Sequence, residues 1–149
     1  MQSIEIKAIV SSDFDIWLPL WKAYQRFYKV DIPESVTLKT WTRLLDPVEP
    51  MHAALAMVGE HALGLVHSIY HRSTWTTGDY CYLQDLFVAK EARGGGIGRA
   101  LIEHVYADAR CRGTSRVYWL AHESNHNAMQ FYDRIADRSG FIQYRKLLA

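Results

Sequence analysis

Apolar and polar positions along this chain follow two spacings, a period of two in some stretches and recurrence every three to four residues in others. The first marks strands and the second helices. Ile4, Ile6 and Ala8 alternate with Glu5 and Lys7, which predicts a first strand. After Ser11, Ser12 and Asp13, residue types that cap helices, the positions Phe14, Trp17, Leu18, Trp21, Tyr24 and Tyr28 recur at helical spacing. Pro19 breaks into the early part of that run and marks either a kink or the true helix start. A second helix is expected after Pro33, carrying Trp41, Leu44 and Leu45 and ending before Pro47.

Met51 to Val58 and His61 to His71 flank Gly59-Glu60 and read as a hairpin with a tight turn. Arg72 to Asp79 is a polar loop. Tyr80 to Val88 is almost wholly apolar, as a central strand is. A helix follows from about Gly96, with Ile97, Leu101 and Val105 on one face. Arg116 to Ala121 predicts a short strand, Asn125 to about Asp137 a helix, and Phe141 to Leu148 a last strand. The order β-α-α-β-β-β-α-β-α-β is a mixed α/β layout. With no linker, repeat or low-complexity stretch, residues 1–149 are expected to form one domain.

Composition narrows the function classes. A chain of 149 residues, 49% hydrophobic and 22% charged, has enough material for a core without staples. A net charge of +1 gives no excess of cations for neutralising phosphates, so a nucleic-acid partner is not expected. Cys81 and Cys111 are too few for a disulfide framework and lack metal-ligand spacing; they read as reduced thiols, and no metal is expected. The first ten residues lack the layout of a signal peptide, and no stretch approaches the roughly 18 apolar residues of a membrane span. A soluble cytoplasmic protein is expected.

The chemistry concentrates where the Tyr80–Val88 strand runs into Arg93-Gly94-Gly95-Gly96-Ile97-Gly98-Arg99. Glycines at a helix N-terminus let backbone N–H groups approach an anion, and the helix dipole favours phosphate there. Arg93 and Arg99 add positive charge. A P-loop needs a Lys-Ser/Thr pair that is absent, and a dinucleotide fingerprint needs a third glycine that Gly96-Ile97-Gly98-Arg99-Ala100-Leu101 lacks. Glu123 could still imitate a ribose-binding acid, so a nucleotide-binding alternative stays open.

Arg93 to Gly98 resembles the R/Q-x-x-G-x-G/A signature of the GNAT superfamily of acyl-CoA-dependent N-acyltransferases. Leu86-Phe87-Val88 is similar to that family's central strand. Asn125-His126-Asn127-Ala128-Met129-Gln130-Phe131-Tyr132, followed by Gly140-Phe141, resembles its second signature. The match covers residues 80 to 145 well, and within the superfamily it is most similar to the spermidine/spermine and fungal histone/polyamine acetyltransferases. The resemblance implies a mostly antiparallel mixed sheet with a splayed cofactor-binding strand pair, flanked by about four helices. It implies acetyl-CoA as co-substrate and a primary amine of a small molecule or a peptide as acceptor.

Position by position, the resemblance gives Leu86, Phe87 and Val88 to the pantetheine arm. Arg93, Gly94, Gly95, Gly96, Gly98 and Arg99 fall to the pyrophosphate, and Asn125 to the thiol end. A strand N–H, that of Leu86, would stabilise the oxyanion. Tyr132 matches the family's general acid. In polyamine-acetylating relatives an acid precedes the matched Asp85, but here that position is Gln84. Either Asp85 accepts the amine proton through water or another group does, with His122, Glu123 and His126 as candidates. Acceptor contacts are expected among Tyr24, Tyr28, Asp31, Glu34, Trp75, Asp79 and Gln84, where acids attract a cation and aromatic faces stack on it. The resemblance also implies a homodimer through the C-terminal strands. A catalytically silent acyl-CoA sensor is the alternative.

Overall fold

The β4 strand, Tyr80–Val88, has a helix-covered face on each side and one edge that is mostly unpaired, and the rest of the fold is arranged to produce this. The computed structural model describes residues 3–148. Five strands lie in chain order: β1 (Ile4–Ala8), β2 (Met51–Val58), β3 (His61–His71), β4 and β5 (Val117–Tyr118). The first four pair antiparallel, and β5 joins β4 in parallel through the crossover helix α3 (Ile97–Cys111). A parallel neighbour needs such a crossover because its chain must return to the starting edge.

Helices α1 (Phe14–Tyr28) and α2 (Glu34–Leu45) cover one sheet face. Their Trp17, Leu20, Trp21, Trp41 and Leu44 form one core with Leu55, Met57, Leu65 and Phe87. The alternate positions face α3: a Cβ added to Gly64 would stand 2.9 Å from Ile97 and 3.0 Å from Leu101. Pro19 lies inside α1, which begins at Phe14, so the proline does not mark the helix start.

Contacts divide the chain into a unit ending at Trp119 and a second one beginning at Leu120. The second unit holds α4 (His126–Ile135). The strand expected over Phe141 to Leu148 is not formed: these residues pair with no strand. Phe141, Ile142, Tyr144, Leu147 and Leu148 are exposed. A strand-like sequence adopts its conformation only where an edge receives its hydrogen bonds, and nothing supplies one to this segment among the described residues. β5 is likewise shorter than Arg116 to Ala121 suggests.

Candidate active site

β4 places the chemistry through one irregularity. His67 pairs with Asp85 and Ser68 with Leu83, so Gln84 is an extra residue without a partner, a β-bulge. Leu83 and Cys81 face α3, as does Tyr70, whose hydroxyl bonds Asp108 of that helix. Beyond the bulge the alternation is inverted, and Asp85 and Phe87 face α1. Gln84 is left exposed.

Asp85 is buried and enclosed by donors. The Tyr24 hydroxyl donates to Oδ1 at 2.7 Å, and His67 Nδ1 lies 3.0 Å from Oδ2. On its other side His67 Nε2 accepts from the Trp17 indole N–H at 3.0 Å. Burial, then the neighbouring Asp85 charge and hydrogen bond, push the Tyr24 hydroxyl far above the ordinary tyrosine range, so it stays a donor. Tyr28 is raised in the same direction, by burial first and then by Asp85, and its ring lies 4.7 Å from that of Tyr24. A cleft of about 390 Å³ opens here, with Trp21, Tyr24, Thr40, His67, Gln84 and Asp85 among its lining residues. Asp85 carries the one formal charge in that lining.

The second part of the site is the free edge of β4. β5 pairs with β4 only at Cys81 and Tyr82, so along Leu86, Phe87 and Val88 no strand occupies that side among the described residues. The Arg93 Nε donates to the Val88 carbonyl at 3.1 Å, and its guanidinium lies over the Phe27 and Phe87 rings.

The glycine turn then opens α3. Gly94 and Gly96 both have φ of 86°, a left-handed conformation that a side chain resists, while a Cβ at either would meet nothing within 4 Å. These glycines are therefore required by backbone shape and not by crowding. Gly96 is the N-cap of α3 and no side chain caps the helix. The Ala100 N–H is the first to bond back, to Gly96, which leaves the amides of Ile97, Gly98 and Arg99 without a helical partner. Arg99 pairs with Glu103 at 3.1 Å beside them. An uncapped N-terminus with an open approach, continuous with an unpaired strand edge, fits a diphosphate carrying an extended amide-containing arm.

In the second unit Asn125 caps α4, its side chain accepting the Ala128 N–H at 3.4 Å, and Tyr132 lies half-buried on that helix next to Phe131. His122 bonds Ser124, and Glu123 and His126 are exposed. Trp75 is 74% exposed beside Arg116 and is not part of the cleft lining, nor are Asp31, Glu34 and Asp79. The sequence patterns did not single out His67 or the donor role of Trp17. A histidine within an apolar strand carries no local signal, and its partners come from residues 50 and 18 positions away.

Comparison with known proteins agrees with this geometry. Residues 16–136 match the model of the acetyltransferase (GNAT) family. The D-amino-acid N-acetyltransferase HPA3 of Saccharomyces cerevisiae is 37% identical over 145 residues, covering 96% of this chain and 90% of the relative. A thialysine N-epsilon-acetyltransferase of Caenorhabditis elegans is 26% identical, covering 91% and 83%. Among solved structures, AAC(6')-Iy in complex with the bisubstrate analog CoA-S-monomethyl-acetylneamine has a TM-score of 0.83 at 16% identity, covering 98% of this chain and 99% of that one. A ribosomal-protein-alanine N-acetyltransferase from Brucella melitensis has a TM-score of 0.82 at 21% identity, covering 98% and 99%. At these identities the two structures speak for the fold alone.

Proposed function

The chain belongs to the acetyltransferase (GNAT) family and is an N-acetyltransferase, and we propose that its acceptor is the amino group of a small amino acid-like molecule bound in the cleft over Asp85. One observation carries the acceptor reading: the cleft's one formal charge is a buried carboxylate, and its volume of about 390 Å³ suits a small ligand. An ammonium group is the natural complement of that charge. The relatives named for D-amino acids and thialysine support the same class.

Acetyl-CoA supplies the activated acetyl group. The amides opening α3, with Arg93 and Arg99, hold its diphosphate, and the Leu86–Val88 edge of β4 receives the arm. Asp85 draws the ammonium into the cleft and takes its proton through a water molecule, leaving a neutral amine. Tyr132 donates a proton to the departing sulfur; the family signature around it supports that role. The same signature supports Asn125 as a contact for the thiol end of the arm. The family match over residues 16–136 supports one catalytic domain.

Two broader features belong to this reading. Free Cys81 and Cys111 suit a reducing, cytoplasmic compartment, and no described helix is long and apolar enough to cross a membrane. The exposed apolar residues from Phe141 to Leu148 support pairing with a second copy, which sedimentation would reveal.

The test is thiol release from acetyl-CoA by the purified chain, over a panel of D- and L-amino acids, thialysine, polyamines and basic peptides. Turnover is expected with free amino acids or thialysine. Turnover confined to peptides, or absent throughout the panel, would remove the acceptor assignment.

A further inference from the structure

We infer that Trp17 and His67 are positioning residues for the acetyl transfer, holding Asp85 in one orientation at the floor of the cleft. The inference rests on the cleft being the acceptor site.

The direction of each hydrogen bond follows from what the groups can do. An indole N–H only donates, so His67 Nε2, 3.0 Å from the Trp17 nitrogen, is an acceptor. A neutral imidazole has one hydrogen, which therefore sits on Nδ1. That Nδ1–H points at Asp85 Oδ2, 3.0 Å away. The carboxylate's other oxygen accepts from Tyr24 at 2.7 Å. Thus each link fixes the next, from indole to imidazole to carboxylate.

The chain of bonds is buried. Trp17 is 0%, His67 4% and Asp85 8% exposed, so water cannot readily replace a lost link. Buried polar networks that are fully satisfied rigidify their members. His67 has no lone pair left for the acceptor, because Nε2 faces Trp17 and Nδ1 faces Asp85. Its role is to orient, not to take the proton. Phenylalanine at position 17 would keep ring contacts with Phe14 and Trp41 at the cost of a small cavity, but it lacks the donor that, with the Asp85 carboxylate on the other side, fixes the imidazole tautomer. A carboxylate held by two donors keeps its remaining lone pairs directed at the cleft. One free to swing would spread over many orientations, and misplacement of about 1 Å costs roughly 100-fold in rate.

Two measurements on the full chain test this. Long-range ¹H–¹⁵N NMR of the imidazole rings, with His67 assigned by its loss in His67→Asn, is expected to show protonated Nδ1 and bare Nε2. An Nε2–H ring in the unsubstituted protein would overturn the inference.

Kinetics form the second arm. His67→Leu should lower kcat/KM for the acceptor about 10- to 100-fold while leaving the KM for acetyl-CoA unchanged. His67→Asn, whose amide can still donate to Asp85, should recover most of that loss. Equal activity of the Leu and Asn variants would overturn the positioning role, since a purely structural side chain would not distinguish them. Should His67→Leu not fold, Trp17→Phe takes its place, with a several-fold fall in kcat expected and an unchanged kcat contradicting the proposal. If the unsubstituted chain acetylates no small amine, the acceptor reading fails; the NMR arm still decides whether the buried chain of bonds holds Asp85 as stated.

Discussion

His67 and Asp85 face each other across the β3–β4 ladder, with 3.0 Å between Nδ1 and Oδ2, and they meet because Gln84 bulges out of β4. In a regular strand Asp85 would share a face with Leu83 and point toward α3. The extra residue turns it toward α1, where Tyr24 and the cleft are. The single charge of the cleft is thus the product of a backbone irregularity and not of side-chain spacing.

Asp85→Asn tests what that charge does. The substitution keeps size and one acceptor oxygen, and the Tyr24 hydroxyl can rotate to accept the new amide N–H. Folding should weaken by only about 1 kcal/mol. Acceptor kcat/KM should fall by roughly 100- to 10,000-fold, the span of general-base removal, with KM for acetyl-CoA held. Steady-state kinetics beside a denaturation curve separate the two effects, and near-normal turnover would make Asp85 a packing residue only.

Much of this was legible in the chain. The alternation of Ile4 to Ala8, the helical run from Phe14 to Tyr28 and the glycines at 94 to 98 each carry a local physical signal, and the elements stand where those signals put them. Asp85 was readable as a candidate, but its direction was not, because a bulge depends on the register against β3. His67 could not be found for the same reason. The strand expected at Phe141 to Leu148 shows the opposite error: its pattern is favourable, yet strand formation needs a partner edge that a pattern cannot guarantee.

Gly96 offers a test of the cradle. Its left-handed backbone costs a substituted residue about 1 to 2 kcal/mol, but a new side chain would meet open space. Gly96→Asp sets a negative group at the uncapped amides of α3, where it repels a diphosphate and competes for the same donors. Acetyl-CoA affinity should drop at least about tenfold, equivalent to roughly 1.4 kcal/mol, in a calorimetric titration. Gly95→Ala, where the new Cβ would stand an ordinary 3.5 Å from the Ala92 carbonyl, serves as the mild comparison. Normal affinity in the Asp variant would move the diphosphate elsewhere.

Gly64 is a packing constraint beneath the same helix end. Beyond Ile97 and Leu101, an added Cβ would lie 3.1 Å from the Phe87 carbonyl, a backbone atom that cannot step aside. Gly64→Ala should therefore destabilise the fold by about 1 to 3 kcal/mol, measured by denaturant midpoint. Because Ile97 is the first residue of α3, cofactor affinity should fall with it. A variant as stable as the parent would mean that β3 and α3 are less closely packed than these distances indicate.

The two thiols should differ in reactivity. Cys81 is fully buried, and that burial pushes its thiol up to about 11, whereas Cys111 is exposed near the end of α3. At pH 8 a thiol reagent should modify one cysteine per native chain and two after unfolding, with the native adduct mapped to Cys111 by mass spectrometry. Fast native labelling of Cys81 would show that β4 opens readily from the sheet.

Tyr132 is the group whose role leans most on family pattern, and a single substitution isolates what its hydroxyl does. A tyrosine keeps its proton at neutral pH, which suits a donor to a departing sulfur, while phenylalanine fills the same space without a proton to give. Tyr132→Phe should cut kcat by about 100-fold or more and leave the dissociation constant for acetyl-CoA nearly unchanged. Single-turnover kinetics locate the loss in the chemical step, since slowed product release would leave the first turnover fast. If kcat is unaltered the acid is another group. If affinity and kcat fall together with thermal stability, the residue serves α4 as packing, and the proton must come from solvent.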